Sequence, residues 1–242
     1  MSGSILLIFA HPDDETSAAG GTTAKYVSLG YTVDLVTATG GEKGTRLEVP
    51  DGVETATVRA SEQRDAATIT GVRDIYLLGY IDGELMEADF NEVTEKILEV
   101  MEKVQPQIVI TFGPDGISGH PDHVAISKAA TAAFQKVPNR SGGLRKLYYV
   151  AIPESAFASV NQEEVGHVIT RPDDEITTEI DISSFLETKL RALKKYRSQE
   201  DARWLVDMFR QVGESSWAGK EFFHLACPKH SEKETDLFKR DR

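Results

Sequence analysis

Residues 5–15 read Ile-Leu-Leu-Ile-Phe-Ala-His-Pro-Asp-Asp-Glu, an apolar run that ends abruptly in ionisable side chains. A continuous run of this kind is typical of a strand that is covered on both faces of a parallel sheet. The strand would end at Ala10 and place His11 at the carboxyl edge of the sheet. Helical spacing over 18–29 and a second apolar segment over 32–37 follow, so this part of the chain predicts a β-α-β unit.

A second His-Pro-Asp turn lies in the middle of the chain. A predicted strand over 107–112 leads into a glycine-rich loop that ends in Gly119-His120-Pro121-Asp122-His123. In an open parallel sheet, ligands bind beyond the carboxyl ends of the strands where the strand order reverses, so both turns can converge on one crevice. The surrounding segments predict further alternation, with helices over 56–70, 90–104 and 124–134 and a short strand over 74–77.

The pattern is looser beyond residue 135, where strands over 146–152, 166–170 and 221–226 and a helix over 183–196 are predicted. We expect an α/β fold with a mostly parallel sheet flanked by helices, in a single domain that spans residues 1–242. Its motif-bearing core would occupy residues 1–135, and a smaller C-terminal elaboration over 136–230 would shape the pocket. A polar tail over 231–242 would be mobile or serve a subunit contact.

The composition narrows the class of protein. The chain has 242 residues, and 27 basic against 39 acidic side chains give a net charge of −12. Such a charge repels phosphate backbones and anionic lipids, so we expect neither nucleic acid nor a membrane as a partner. The first apolar run is far shorter than the ~20 residues of a membrane span and has no positively charged leader, which predicts a cytoplasmic protein. The single cysteine, Cys227, is interpreted as a structural thiol.

The two turns contain a suitable set of metal ligands. Two imidazoles and one carboxylate, from His11, His123 and Asp14, would bind a divalent metal and leave positions for water and substrate, as in a catalytic site. A thiolate cage is impossible with one cysteine, which excludes the commonest structural zinc sites. Zinc is the preferred metal, although the same ligand set also suits non-haem iron.

The neighbouring polar residues then have chemical roles. Asp13 could take a proton from the water that attacks the substrate. His120 could stabilise an oxyanion or protonate the leaving group, and Asp122 could hold that imidazole in its charged form.

A purely structural interpretation is the alternative for each turn. Pro and Asp form turns, and Asp caps helices. Two copies of the turn, and the cost of crowding carboxylates at 13–15 without a cation, favour the metal site. Glu15 is a weaker candidate that could simply orient or cap the following helix.

The turns Ala10-His11-Pro12-Asp13-Asp14-Glu15 and Gly119-His120-Pro121-Asp122-His123 together resemble the paired signature of the PIG-L, or LmbE-like, zinc-dependent de-N-acetylases, which act on N-acetylglucosamine conjugates. Gly40-Gly41-Glu42-Lys43-Gly44, Val58-Arg59-Ala60-Ser61-Glu62 and Thr70-Gly71-Val72 are similar to further landmarks of that family in the same order. The resemblance covers the motif-bearing core and is thin beyond it.

The resemblance implies a fold, a metal and residue roles. The fold would be a Rossmann-like sheet, and similar proteins often form symmetric homo-oligomers. The zinc ion would be bound by His11, Asp14 and His123, with Asp13 as general base and His120 as electrostatic or acid partner. These roles agree with those argued from the residues alone.

Three other positions bear on the resemblance. Arg59 would lie near the metal pocket and help with the substrate or the oxyanion, whereas an arginine on a helix more often pairs with a neighbour such as Glu62. Ser118 stands where some members have a tyrosine, and its side chain is too short to reach an oxyanion. Tyr196 stands where many members have a histidine, which weakens the transfer of any C-terminal site residue.

A basic cluster runs along the last predicted helix, at Lys189, Arg191, Lys194, Lys195 and Arg197. The favoured interpretation is a solvated helix face. The alternative is that some of these charges reach an anionic aglycone of the substrate.

These features together predict a metal-dependent hydrolase that removes acetate from an N-acetylated amino sugar. A related hydrolase acting on another small amide would use the same metal site with a different pocket. A non-catalytic sugar- or nucleotide-binding module is the other alternative. It is disfavoured for nucleotides, because the first turn lacks Gly-x-Gly-x-x-Gly and its acidic cluster would repel a pyrophosphate.

Overall fold

The computed structural model describes residues 3–137, 145–158, 167–213, 217–229 and 232–239, which fold around one seven-stranded sheet. The strands are β1 (Ser4–Phe9), β2 (Thr32–Thr39), β3 (Ile75–Tyr80), β4 (Ile108–Phe112), β5 (Lys146–Val150), β6 (Thr178–Asp181) and β7 (Lys220–Cys227). The α-helices in these ranges are α1 (Asp14–Ser28), α2 (Thr55–Thr70), α3 (Phe90–Val104), α4 (Pro121–Lys136), α5 (Glu154–Phe157), α6 (Leu186–Leu193) and α7 (Glu200–Val212). None of them has both the length and the apolar character that crossing a membrane requires.

The strand order places both sequence motifs at one point of the sheet. The order is β3-β2-β1-β4-β5-β7-β6, with β1 to β5 parallel and β7 antiparallel to both β5 and β6. The order reverses between β1 and β4, whose carboxyl ends lie side by side because Ile8 pairs with Thr111. The predicted α/β fold with a mostly parallel sheet is therefore confirmed. The reversal point is also where such sheets bind ligands.

The core is centred on β1. Every side chain from Ile5 to Ala10 is apolar and at most 1% exposed, as a strand covered on both faces requires. Helices α1, α2 and α6 pack against one another, and α3 packs against α4. In α3 the apolar positions Val93, Ile97 and Met101 are buried at helical spacing, which fixes the face that meets the sheet.

The edge of the sheet differs from the prediction for the C-terminal third. No strand forms over residues 167–170 of the predicted strand at 166–170, and Gly166 lies outside the described residues. The edge strand is β6 instead, which buries Thr178 and Ile180 and pairs with β7. The four-residue alternation Thr-Glu-Ile-Asp is too short to stand out in the sequence.

The helices of this region also differ from the prediction. The helix predicted over 183–196 begins as a 3₁₀ turn and continues as α6, which ends at Leu193. Helix α7 is absent from the predicted pattern, although Ala202, Val206 and Phe209 bury one of its faces at helical spacing.

The polar tail is docked rather than mobile over its described part, residues 232–239. Glu234 Oε1 accepts a hydrogen bond from Lys146 Nζ at 2.5 Å, and Glu234 Oε2 accepts one from the Tyr148 hydroxyl at 2.8 Å. Leu237 is fully buried in the main core. Ser231 and residues 240–242 lie outside the described residues.

We expect the Glu234→Gln exchange to lower the free energy of unfolding by about 3–5 kcal/mol, because it leaves the buried Lys146 ammonium without its counter-ion. Chemical denaturation would measure the change. The matched control is Glu179→Gln, since Glu179 pairs with Lys220 at 2.7 Å but both side chains are more than 40% exposed. That exchange should cost less than about 1 kcal/mol. Equal losses in the two variants would contradict the role given to Glu234.

Candidate metal centre and active site

The two His-Pro-Asp turns meet beyond the ends of β1 and β4. His11 Nδ1 lies 3.1 Å from His123 Nε2 and 3.4 Å from Asp14 Oδ2. The third separation, from His123 Nε2 to Asp14 Oδ1, is also 3.4 Å. All three side chains are at most 15% exposed. The structure thus brings together the three residues that the sequence predicts as metal ligands, and we refer to them below as the ligand triangle.

The ligand triangle has dimensions that suit a metal ion. Zinc binds nitrogen and oxygen at about 2.0–2.2 Å with tetrahedral angles, which separates neighbouring ligand atoms by about 3.3–3.5 Å. The observed separations of 3.1–3.4 Å are close to this value, with Asp14 presenting Oδ2 to His11 and Oδ1 to His123. His11, Asp14 and His123 could therefore hold one divalent ion, and three protein ligands would leave room for water and substrate.

Hydrogen bonds behind each imidazole set which nitrogen faces the triangle. His123 Nδ1 lies 3.0 Å from the Gly116 carbonyl oxygen and must donate to it, so Nε2 carries the lone pair. His11 Nε2 lies 3.1 Å from Asp82 Oδ1 and 3.2 Å from Asp122 Oδ2, which leaves its Nδ1 towards the other two ligands. Carbonyls and carboxylates commonly orient metal-binding histidines in this way.

Two other groups in the described part of the chain have metal-ligand spacing: the first is His11 with His120 and His123, and the second is His11 with Asp82 and Asp122. His120 has only Nε2 left for an ion, because its Nδ1 accepts the backbone N–H of Asp122. In the second group, Asp122 is less suitable as a ligand because both of its oxygens accept backbone N–H groups. Among the described residues, Asp14 accepts one such group, from His11 N to Oδ2 at 2.8 Å. Lys43 N donates to Asp82 Oδ2 at 2.9 Å, and Gly83 N donates to Asp122 Oδ2 at 2.7 Å. Both carboxylates are better placed to orient His11 than to bind an ion themselves.

The electrostatics of the triangle favour a cation. Burial alone would lower the pKa of His11, but hydrogen bonds with Asp122, Asp14 and Asp82 raise that pKa to about 12. Burial keeps the pKa of His123 below its ordinary value, so this imidazole is neutral and able to bind a metal. One proton thus lies among several carboxylates, and a divalent ion would replace it.

Asp13 lies beside the triangle and makes no capping hydrogen bond. Its φ of 105° starts α1 from a left-handed conformation, and its side chain does not cap the helix. The helix amides of Thr16 and Ser17 bond to its carbonyl oxygen instead. Burial and the charges of Asp14 and Glu15 raise the pKa of Asp13. A carboxylate that is not needed for capping and has a raised pKa is suited to accept a proton.

His120 is close to the triangle, but Asp122 does not have the predicted contact with it. The His120 ring centroid lies 4.9 Å from that of His11 and 4.8 Å from that of His123. His120 Nδ1 accepts a hydrogen bond from the backbone N–H of Asp122 and so caps α4. The Asp122 carboxylate is bonded to His11 and to the amides of Gly83 and Leu85. It therefore orients His11, which differs from the expectation that it holds His120 in its charged form.

Arg59 is buried near the same carboxylates. Its Nη2 donates to Thr45 O at 3.0 Å, whereas its Nε has no partner in the described part of the chain. The neighbour Glu62 accepts from the amide and hydroxyl of Ser198. Asp13 and Asp82 stabilise the charge of Arg59, although burial lowers its pKa.

The glycine-rich motif at 40–44 makes room for this arginine. A Cβ on Gly41 would lie 2.5 Å from Arg59 Nη1, and one on Gly44 would lie 2.6 Å from Arg59 Nη2. Gly41 also has a φ of 65°, a backbone conformation that costs free energy for residues other than glycine.

Asp82 is a site residue that is absent from the predicted set. A usable signal exists, because Asp82 follows β3 as the two motifs follow β1 and β4, and Gly83 behind it turns the chain with a φ of 74°. Contact with His11 and the charge of Arg59 outweigh burial and lower the pKa of Asp82 to about 2. It is therefore ionised and adds to the negative charge around His11.

Glu15 and Tyr196 form a buried support under the first turn. The Tyr196 hydroxyl and the Thr16 hydroxyl both donate to Glu15 Oε1, and Gln63 Nε2 donates to Glu15 Oε2 at 3.2 Å. The backbone N–H of Asp13 donates to the same Oε2 at 3.3 Å. Glu15 thus anchors the turn from below rather than capping α1, and the C-terminal segment contributes to its position.

If the sequence-based prediction of a hydrolase holds, we expect the Tyr196→Phe exchange to lower kcat by about tenfold, because Glu15 would hold the turn that carries Asp13 and Asp14 less firmly. The loss of one hydrogen bond to a buried carboxylate should also lower the free energy of unfolding by about 1.5–3 kcal/mol. Steady-state kinetics and denaturation would measure both. Tyr149→Phe is the control, because within the described residues its hydroxyl bonds only to Thr131, at 2.8 Å, away from the ligand triangle. Equal kcat values for the two variants would contradict the supporting role of Tyr196.

The basic cluster is only partly a solvated face. Lys189 is buried and pairs with Glu221 at 2.7 Å, whereas Arg191 and Lys194 are exposed. Lys195 and Arg197 remain 44% and 68% exposed. None of the exposed members contacts the ligand triangle.

Comparison with known proteins identifies similar sequences. The model of the PIG-L family, described as GlcNAc-PI de-N-acetylase, matches residues 6–134. A 1D-myo-inositol 2-acetamido-2-deoxy-alpha-D-glucopyranoside deacetylase from Acidothermus cellulolyticus is 32% identical, over 98% of this chain and 95% of its own length. A protein of the same name from Saccharomonospora viridis is 31% identical, over 97% of this chain and 99% of its own length.

Solved structures share the fold. An N,N'-diacetylchitobiose deacetylase from Pyrococcus horikoshii superimposes with a TM-score of 0.69 at 24% identity, covering 93% of this chain and 84% of that one. A 4-carboxy-2-hydroxymuconate hydratase from Pseudomonas putida KT2440 also gives 0.69, at 23% identity over 96% and 99%. Since proteins of this fold catalyse two types of reaction, the fold alone assigns no reaction. The family is assigned by the sequence matches: this chain belongs to the PIG-L family of de-N-acetylases.

Proposed function

We propose that the protein hydrolyses the acetamido group of an N-acetylglucosamine conjugate with a divalent metal, preferably zinc. The main support for this proposal is the ligand triangle of His11, Asp14 and His123, with atoms 3.1–3.4 Å apart. Beside it lies the carboxylate of Asp13, which makes no helix-capping hydrogen bond. Membership of a family named for de-N-acetylation supports it. Water adds its oxygen to the acetyl carbonyl carbon, the C–N bond breaks, and acetate and the free amine are the products.

In the first half of the reaction, the ligand triangle would bind the metal and Asp13 would act as the base. His11, Asp14 and His123 would hold the ion, which supplies a Lewis acid for the carbonyl oxygen and lowers the pKa of water. Asp13 removes the proton from the attacking water, because its carboxylate is half-buried, is not used by the helix and has a raised pKa.

His120 and Arg59 would act on the charge that develops in the substrate. The Nδ1 of His120 is occupied by a backbone N–H, so Nε2 is the atom left to stabilise the oxyanion or to pass a proton to the leaving nitrogen. Arg59 supplies a buried positive charge close to Asp13 and Asp82.

The test is metal content measured together with acetate release. Free N-acetylglucosamine and its disaccharide, inositol and malate conjugates would be incubated with the metal-loaded protein, with and without chelator. We expect about one metal ion per chain, acetate release from at least one conjugate, and loss of release with chelator. Metal-loaded protein that releases no acetate but cleaves another small amide would favour the alternative hydrolase. Full activity without metal would contradict the proposal.

A symmetric homo-oligomer and a cytoplasmic location stay predictions. Light scattering of the purified protein tests the first, and fractionation of the cells that produce it tests the second.

A further inference from the structure

The loop between β4 and α4, residues 113–119, holds the atom that orients His123. The Gly116 carbonyl oxygen lies 3.0 Å from His123 Nδ1 and accepts its proton, which leaves Nε2 for the ligand triangle. The loop backbone is close to this side chain, since a Cβ on Gly116 would lie 2.8 Å from His123 Cβ. Because hydrogen bonds weaken steeply with distance and angle, the loop conformation decides which ring nitrogen of His123 is left for a metal.

Ile117, the residue after Gly116, has an unfavourable backbone conformation. Its φ is 65°, in the left-handed region that β-branched residues rarely adopt. Such a conformation persists only where surrounding contacts fix it. Both backbone polar groups of Ile117 have such contacts. Its N–H donates to Asp115 Oδ1 at 2.8 Å, and its carbonyl oxygen accepts from Ile169 N at 2.5 Å. The position of Gly116 O thus depends on the groups that hold its neighbour.

Arg171 connects this loop to the C-terminal half of the chain. Its Nη2 donates to Asp115 Oδ2, the second oxygen of the carboxylate that holds Ile117, and both charged side chains are only 22% exposed. The Arg171 backbone is itself fixed, because its N–H donates to Ile152 O at 2.8 Å and its carbonyl oxygen accepts from Glu154 N at 2.9 Å. These two residues follow β5, the strand next to β4. The guanidinium therefore holds the loop from a support that is tied to the sheet.

Arg171 has a second ion pair that does not involve the loop. Its Nη1 lies 3.3 Å from Glu175 Oε2, and the Glu175 side chain is 49% exposed. Water screens the charges of such an exposed pair, so it contributes little. The pair with Asp115 is less exposed, and its carboxylate is already ordered by the Ile117 N–H. One arginine thus has a partner in the loop and another outside it, which allows a matched control.

We propose that Arg171 is a positioning residue for the metal centre. Through Asp115 it holds the loop so that Gly116 O stays on His123 Nδ1 and His123 Nε2 faces the ligand triangle. The inference rests on the proposed function, in which His123 binds the metal. Arg171 lies beyond the family match, which ends at residue 134. The metal centre therefore depends on the C-terminal part of the chain as well as on the two motifs.

The first test is the zinc affinity of the whole chain, measured by competition with a chelator. We expect Arg171→Ala to weaken zinc binding about tenfold, the lower end of the range for groups behind a metal ligand, because Arg171 acts through Asp115 and the loop. Glu175→Gln is the control, since it removes the other partner of the same guanidinium and should leave the affinity unchanged. An affinity of Arg171→Ala equal to that of the wild type or of Glu175→Gln would overturn the inference.

Asp115→Asn tests the same contact from the other side and replaces Arg171→Ala if that variant does not fold. An asparagine can still accept the Ile117 N–H at its carbonyl oxygen, but its amide nitrogen in place of Oδ2 cannot accept from Arg171. We expect a loss of zinc affinity similar to that of Arg171→Ala. The two exchanges together should add little to either alone, because they break one contact. Losses that multiply in the double variant would overturn the inference.

A second readout follows His123 directly and needs no metal. In zinc-free protein labelled with a nitrogen isotope at histidine, NMR shows which ring nitrogen carries the proton when the ring is neutral. The signal of His123 is identified among the six histidines by its absence in His123→Ala. We expect the Nδ1–H form in the wild type and in Glu175→Gln, and a mixture of both forms in Arg171→Ala and Asp115→Asn. A pure Nδ1–H form in the last two variants, or its absence from the wild type, would overturn the inference.

Failure of this inference differs from failure of the proposed function. If the wild type releases no acetate from any conjugate, the proposed reaction fails, and the His123 signal still decides whether Arg171 positions that side chain. If acetate is released and zinc affinity is the same in the wild type, Arg171→Ala and Asp115→Asn, this inference is overturned and the proposed function stands.

Discussion

Exchanging Asp13 for asparagine should lower kcat/KM for amide cleavage by about 10²–10⁴-fold, the usual contribution of a general base, while the bound metal stays at the wild-type level. Asparagine is nearly the same size and tolerates a positive φ better than most residues, so the 105° conformation can persist. The expected loss therefore reports the missing proton acceptor rather than a rearranged turn. Kinetics on protein of known metal content would measure it.

The control for this exchange is Asp74→Asn. Asp74 is 58% exposed and lies next to β3, where its carboxylate contacts Arg73. Removing that charge should leave kcat/KM unchanged. An Asp13→Asn enzyme with full activity would exclude Asp13 as the base, and one that has lost its metal would place Asp13 among the ligands.

The central strands and the ligand triangle can be predicted from the sequence, because the residues that determine them are adjacent in the chain. The apolar run at 5–10 and the motif His11-Pro12-Asp13-Asp14 are contiguous, and the same combination recurs before His123. Since parallel strands deliver their carboxyl ends to one edge, two local patterns are enough to predict one shared site. The observed 3.1 Å between His11 and His123 follows from that topology.

The supports of the site are less visible because their determinants are not local. Tyr196 contacts Glu15 across 181 positions of the chain. Gln199 Nε2 donates to Pro12 O from the same segment, where Tyr196 in place of the family's histidine weakened any prediction of a role at the site. Asp82 also lies outside both motifs. Short strands such as β6 form because neighbouring strands stabilise them, and their own sequence pattern is too short to indicate a strand. The prediction for that edge of the sheet was wrong for this reason.

Removing one member of the ligand triangle should lower the affinity for the metal more than it changes any other property of the protein. His123→Ala removes Nε2, the nitrogen that is left for the metal because Nδ1–H donates to Gly116 O, and alanine has no atom that could replace it. Loss of a group behind a metal ligand commonly weakens metal binding about 10–100-fold, and loss of a ligand should exceed that range. His224→Ala is the control, because His224 lies on β7, outside the group of imidazoles at the site.

A graded series then locates the ion within the site. If the triangle holds the metal, affinity measured by competition with a chelator should fall most for His123→Ala and by about 10–100-fold for Asp122→Asn, which only loosens His11. The opposite order would place the ion in the second group, on the Nε2 side of His11, where Asp82 and Asp122 lie. That arrangement would leave His123 without a metal to bind and separate Asp13 from the reacting water. The order of two affinities thus distinguishes a hydrolytic centre at the triangle from a cation bound behind it.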